Sequence, residues 1–289
     1  MEFKINLQNR ADKVHNEDKT ILPVPNSSGH RRSPEELVVE GVNAPRPNTT
    51  KATGGRLCNN IIRNIVCNAL AKKHNLKYEY DFHEKMTELG IELYTEGTNM
   101  YHETVKIEDY DFFKLLEQDN LTTNLNVHNT YFQNQDIADF IRNYLSENPQ
   151  KNKIIDKNIY RHRYEKNEDI FVHIRLDDAA KYNPGFEYYD NALSYLKFNQ
   201  GFISSDSIDH TICKQLIEKH GLLPVQTNEV HTIMFASTCK YLLLSSGTYS
   251  WFMGVIGWYS TVYYPNPIPD WHGAIFGFKD WYKININSE

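Results

Sequence analysis

Long apolar runs are missing from these 289 residues. No stretch of about 18 apolar residues occurs, so no membrane-spanning helix is expected. The first ten residues, Met1–Arg10, contain no apolar segment of the secretory kind, and a cytoplasmic setting is the expectation. Cysteine is scarce, with only Cys58, Cys67, Cys213 and Cys239. None forms a CxxC pair or a Cys/His metal spacing, so all four read as reduced, buried thiols. An excess of basic charge is also missing. The 31 Lys and Arg against 37 Asp and Glu leave a net charge of −6. That balance excludes nucleic acid as a broad surface partner. It still allows one small anion held by a few local groups. No repeat of solenoid or propeller period is present. What the chain does have is apolar substance: 40% hydrophobic and 13% aromatic residues exclude wholesale disorder and provide for a sizeable core.

Residues 1–50 are rich in Pro, Ser, Asn and charge, and read as an extended N-terminal arm. Short strands at Phe3–Leu7 or Leu37–Val39 are the ordered alternatives within it. From Thr53 the character changes. Gly54 and Gly55 make a turn that permits close backbone approach. Leu57, Ile61, Ile62, Ile65, Val66, Ala69 and Leu70 then recur at helical spacing and predict an amphipathic helix. Leu76–Tyr80 reads as a strand. Helices are expected at Tyr110–Glu117 and Gln135–Ser146, and short strands at Ile91–Tyr94 and Thr130–Phe132. Pro149–Lys166 reads as a connector or a surface helix, with Arg161-His162-Arg163 as a solvated face. His30-Arg31-Arg32 reads the same way.

The second half alternates more regularly. Strands are expected at Asp169–Arg175, Gln200–Ser204, from Val225, at Lys240–Leu244 and finally at Val262–Tyr264. Helices are expected at Tyr188–Lys197, Ser207–His220, Glu229–Thr238 and Thr248–Gly257. Strands alternating with helices predict an α/β fold with a parallel sheet covered on both faces. Ligands of such sheets bind beyond the carboxyl ends of the strands.

Three polar clusters fall at those ends: His173 to Asp178, Ser204-Ser205-Asp206, and Ser245-Ser246-Gly247-Thr248-Tyr249-Ser250. Strand alternation puts His173 and Arg175 on one face, away from Val172 and Ile174. An arginine fork facing hydroxyls and helix-start N–H groups suits a phosphate or diphosphate. Each cluster also has a plainer reading. Arg175 with Asp177 or Asp178 is equally a structural ion pair, and each Ser-rich segment taken alone reads as a turn and helix cap. The clusters together, each at a strand-to-helix junction, are less easily explained that way.

Thr53–Leu70 resembles the Gly-Gly-x-x-Asn opening of the family 11 fucosyltransferases, the α-1,2 group. Val172–Asp178 is similar to the His-x-Arg-Arg-x-Asp signature of the wider fucosyltransferase superfamily. Asn183–Leu193, Phe202–Ile217 and Thr232–Trp258 resemble the segments that follow it, in the same order. The resemblance implies a GT-B-like fold of two Rossmann-like lobes with parallel sheets. Residues 51–160 would form the acceptor-side lobe and residues 161–289 the donor-binding lobe. It implies inverting, metal-independent transfer of L-fucose from GDP-β-L-fucose to a glycan hydroxyl, with no cofactor. By position, Arg175 and Asp178 would be catalytic. Gly54, Gly55, Asn59, His173, Arg175, Ser204, Asp206, Ser246, Gly247, Thr248, Tyr249 and Ser250 would bind the donor. The chain departs from the pattern at Leu176, where the second signature arginine stands, and at Cys58, Asn60 and Phe252. A different nucleotide-sugar such as GDP-rhamnose, or a non-catalytic carbohydrate-binding relative, are the alternatives.

The chemistry agrees with a metal-free site. No Asp-x-Asp stands at a predicted strand end, and the adjacent Asp177 and Asp178 project differently from an extended segment. An arginine and helix N-termini would then carry the charge of the leaving diphosphate. Inversion also asks for a general base on the acceptor hydroxyl. Asp178, Glu187 and carboxylates of the first lobe are the candidates. Trp271, His272 and Phe276 are candidate walls of an acceptor groove, although most aromatics serve the core.

Overall fold

A computed structural model of the chain describes residues 55–127, 130–268 and 273–286. The expected arm at residues 1–50, with His30-Arg31-Arg32, lies outside the described residues, as do Gly54, Trp271 and His272.

The Leu57–Leu70 periodicity forms α1, Leu57–His74. The helix has no broad solvent face. Its polar residues Asn60, Arg63, Asn64 and Asn68 are as buried as its aliphatic ones, because α1 packs against three other helices, α3 (Phe112–Glu117), α4 (Gln135–Ser146) and α9 (Thr248–Val255). Each buried amide finds a partner, as buried polar groups must. Asn64 Nδ2 donates to the Asp81 carbonyl at 2.6 Å, and Asn68 bonds Tyr144 and the Tyr94 N–H. Arg63 Nε donates to the Thr130 carbonyl at 2.7 Å.

Leu76–Tyr80 and Ile91–Tyr94, expected as strands, are not strands. Asn68 of α1 takes the Tyr94 N–H, and the Leu76 and Lys77 N–H groups donate to the Ala71 and Asn99 carbonyls. In this region only an isolated bridge, Leu76 to Asn99, has strand geometry. The backbones come so close that a Cβ on Gly97 would lie 1.9 Å from the Leu76 carbonyl oxygen. Between them runs α2, His83–Glu88. The first half has one ladder among the described residues, in which β1 (Thr104–Lys106) pairs in parallel with β2 (Asn124–Asn126). Thr130–Phe132, expected as a strand, is an irregular segment. Helix α4 has the expected bounds, with Asn134 capping the Ile137 N–H at 3.0 Å.

The connector contains α5, Gln150–Lys157, followed by Asn158, which is fully engaged. Its amide donates to the Met234 carbonyl and to Tyr164 and Ser237. Arg163 does not lie on a solvated face. It pairs with Asp169 at 2.8 Å and lies over the Phe235 ring.

The second half forms a six-stranded, wholly parallel sheet. In chain order its elements are β3 (Ile170–Ile174), α6 (Phe186–Tyr195), β4 (Gly201–Ser205), α7 (Thr211–His220), β5 (Leu223–Pro224), α8 (Glu229–Ala236), β6 (Tyr241–Leu243), α9, β7 (Thr261–Asn266) and β8 (Tyr282–Asn285). Val262–Tyr264 is therefore not the last strand. The spatial order is β5-β4-β3-β6-β7-β8, so the chain reverses its direction of travel between β3 and β6. This is the Rossmann-like order. Strand alternation sorts the two cores. Phe171 joins the apolar cluster of α1, α8 and α9, while Ile170, Val172 and Ile174 join that of α6 and α7. The fold is α/β, with a parallel sheet covered by helices on both faces. Among the described residues no helix is long and apolar enough to cross a membrane.

Candidate functional site

The strand order reverses between β3 and β6, and the carboxyl ends at such a reversal are the place where sheets of this kind bind ligands. Two of the three polar clusters meet there, and the third lies one strand away.

The first group is buried. His173 sits on the α8/α9 face of β3, and its Nδ1 lies 2.5 Å from Ser250 Oγ and 3.3 Å from Ser245 Oγ. Ser250 Oγ also accepts from the Ser245 N–H at 3.2 Å. Burial, then the charge of Arg175, pushes the imidazole down to about 3. It is therefore neutral near pH 7, and it orients this loop rather than exchanging protons with solvent. The unfolded chain takes up a proton below about pH 6.5 and the folded chain does not, so acid favours unfolding through this group. Stability should fall by about 1.4 kcal/mol per pH unit from there toward the folded value. Urea melts should show a shallower loss with His173→Gln, and a parallel pair of curves would contradict the burial account.

The second group is charged and more open. Parallel pairing sets His173 beside Ser204 and Ile174 beside Ser205, so Arg175 emerges beside Asp206. One arm of the Arg175 fork binds Asp206 and the other binds Asp178. Asp206 is anchored further by the Leu176 N–H at 2.9 Å. Asn183 Nδ2 donates to the Arg175 carbonyl at 2.9 Å and holds the strand end. A second guanidinium arrives from the N-terminus of α1. Arg56 reaches Asp177 at 3.3 Å, Asp178 at 3.2 Å and Asp206 at 3.9 Å. A cation at a helix N-terminus opposes the helix dipole, and these carboxylates offset it.

Two guanidiniums thus face three carboxylates. Asp177 and Asp178 do not project apart as expected. They lie in a 3-10 turn, Asp177–Tyr182, and with Asp206 place oxygens within 4.8 Å of one another. All three are already paired with arginine, so a cation would compete with two fixed positive charges.

The remaining candidates are spread around these groups. Gly55 has φ +90 and closes against Asn59, where a Cβ would come within 2.8 Å of the Asn59 Cβ. The Asn59 amide turns toward the first half and accepts from Gln133 Nε2 at 3.0 Å. Ser204 is half-buried on β4. Ser246 Oγ donates to the Tyr182 carbonyl at 2.8 Å. Gly247 is the N-cap of α9 and Thr248 its first residue, with no side chain capping the helix. Tyr249 donates to the Glu229 carbonyl at 2.7 Å, and its ring lies tilted beside that of His173, with centroids 5.1 Å apart. Glu187 is exposed at the start of α6. Phe276 is core, packed on Tyr264 and Trp281. Leu176 is core as well, buried in the α6/α7 cluster.

Sequence reasoning passed over Arg56 and Asn183. The clue to Arg56 was a positive charge directly before a helix; the clue to Asn183 was the Asn-Pro-Gly turn it begins. It also did not single out Asp109. This carboxylate accepts from the Phe132 and Gln133 N–H groups, and burial raises its proton affinity nonetheless.

The fold and site define an α/β protein with a Rossmann-like sheet order and a cluster of charged side chains at its reversal point. Comparison with protein-family models, curated proteins and solved structures finds no match.

Proposed function

We propose that the protein is an inverting, metal-independent glycosyltransferase. It transfers L-fucose from GDP-β-L-fucose to a hydroxyl of a glycan acceptor. One observation carries this reading: the residues that resemble the fucosyltransferase motifs, far apart in sequence, gather around the carboxyl ends of β3, β4 and β6. On this reading the sheet belongs to the donor-binding lobe, residues 161–289. Residues 51–160, with the β1–β2 ladder, form the acceptor side of a GT-B-like pair.

The chemistry follows from the charges. Departure of a nucleoside diphosphate develops negative charge, which preorganised donors stabilise. Arg175 supplies a fork that can span two phosphate oxygens. Arg56 supplies the second guanidinium, so the loss of a signature arginine at Leu176 does not leave the site with only one. The N–H groups of the first turn of α9 add uncapped donors. Two carboxylates are candidates for the base on the acceptor hydroxyl. Asp178 is beside the diphosphate site but committed to both arginines. Asp109 lies on the acceptor side, joined through Gln133 to Asn59, and its raised proton affinity suits a base.

A thermal-shift panel tests the donor class. GDP should raise the melting temperature, whereas UDP, TDP and CMP should not. An equal response to all four would remove the guanine assignment. In the transfer assay EDTA should leave the rate unchanged, and a loss restored by manganese would reject the metal-independent mechanism.

A further inference from the structure

The carboxylates around Arg56 and Arg175 fall into two kinds. Asp206 is built in: its side chain is 19% exposed and its two oxygens are divided between Arg175 and the Leu176 N–H. Asp177 and Asp178 are different. Their side chains are 60% and 63% exposed, and among the described residues they hold only the two guanidiniums. Their backbone is also less settled. Asp177 has φ +26, in the left-handed region that a non-glycine residue occupies at a cost. The turn is broken again at Ala179, whose φ is −113 and ψ is 15.

We propose that Asp177 and Asp178 are an internal anion that competes with the ligand's diphosphate for Arg56 and Arg175. Binding exchanges these two carboxylates for phosphate oxygens, while Asp206 stays on Arg175 and keeps the fork aimed. The inference rests on the nucleoside-diphosphate reading of this strand-end site and adds a mode of regulation to it. Exposed ion pairs are weak, so the two carboxylates yield readily. A diphosphate carries more charge than either carboxylate and replaces both together. A singly charged anion replaces at most one and gains little. The exchange therefore selects diphosphates and keeps the arginines from collecting stray anions.

Titration calorimetry of the full chain with inorganic pyrophosphate tests this. The probe contains neither guanine nor fucose, so a failed transfer assay would remove the fucosyl reading without touching the exchange. Asp177→Asn with Asp178→Asn should bind pyrophosphate about tenfold tighter than the unchanged chain, as expected from losing two or three exposed pairs. Restoring charge with Asp177→Glu and Asp178→Glu should bring the affinity back. Asp209→Asn removes an exposed charge three residues past Asp206 that, among the described residues, pairs with Lys214, and should change the affinity less than about twofold. An equal gain with Asp209→Asn would mean a general field effect and overturn the exchange. Unchanged or weaker binding by the double Asn variant, folded by its urea midpoint, would overturn it too. So would failure of both proteins to bind pyrophosphate at millimolar concentration.

Discussion

Arg175→Ala should lower transfer about 10²- to 10³-fold while the protein stays folded, the usual cost of removing one preorganised donor from a developing oxyanion. Arg175 is placed for that role by three local features. Strand β3 ends one residue before it, Asn183 holds its carbonyl, and Asp206 holds one arm of its fork. Lysine should not rescue the loss, because an ammonium cannot span two oxygens. The fold should tolerate the change. Asp206 keeps its bond from the Leu176 N–H, and Asp178 is largely in water. A urea melt run beside the rate assay separates the two effects. Near-full activity in a folded Arg175→Ala protein would remove the arginine from the mechanism. An unfolded protein would make the Arg175 pairs structural, the plainer reading that the sequence left open.

The largest stability effect should come from Trp251. It is fully buried on α9, and its indole N–H donates to the Ile275 carbonyl at 2.6 Å. Its ring lies near Phe252 and Phe278. Trp251→Ala should cost about 3–5 kcal/mol, from lost contacts and the cavity left behind. Trp251→Phe should cost less, about 1–3 kcal/mol, chiefly for the stranded carbonyl. Chemical denaturation with fixed slope reads both. Because α9 begins at Thr248, beside the Ser245–Ser250 loop, the alanine variant should also loosen the His173 group. A loss below about 1 kcal/mol for Trp251→Ala would contradict the packing described for α9.

The parts legible in the sequence were those whose partners are local or periodic. Helix α4 was expected with the bounds it has, and its Asn134 cap is a local contact. The β-α alternation after Asp169 made the parallel sheet readable, and it placed His173, Arg175, Asp206 and Ser250 at strand or helix ends. The failures have physical reasons. Leu76–Tyr80 has strand-like residues, but its first N–H groups go to the Ala71 and Asn99 carbonyls and it pairs with Asn99 only through an isolated bridge. The three-residue strands β1 and β2 carry no apolar alternation, and β8 is an edge strand with mostly exposed side chains. Asp177 and Asp178 converge because the chain leaves β3 in a tight turn, which composition does not announce. Arg56 meets Asp177 across 121 residues of sequence, so its role depends on tertiary placement alone.

The most direct measurement is mass-spectrometric detection of transfer, with a panel of nucleotide-sugar donors and glycan acceptors, followed by NMR of the product anomer. The account predicts a fucosylated product from GDP-β-L-fucose with the α configuration, unaffected by EDTA. Transfer from another nucleotide-sugar alone would reassign the donor. No transfer from any donor by the folded protein, together with direct glycan binding, would contradict the enzyme reading and make the strand-end site a carbohydrate-recognition site.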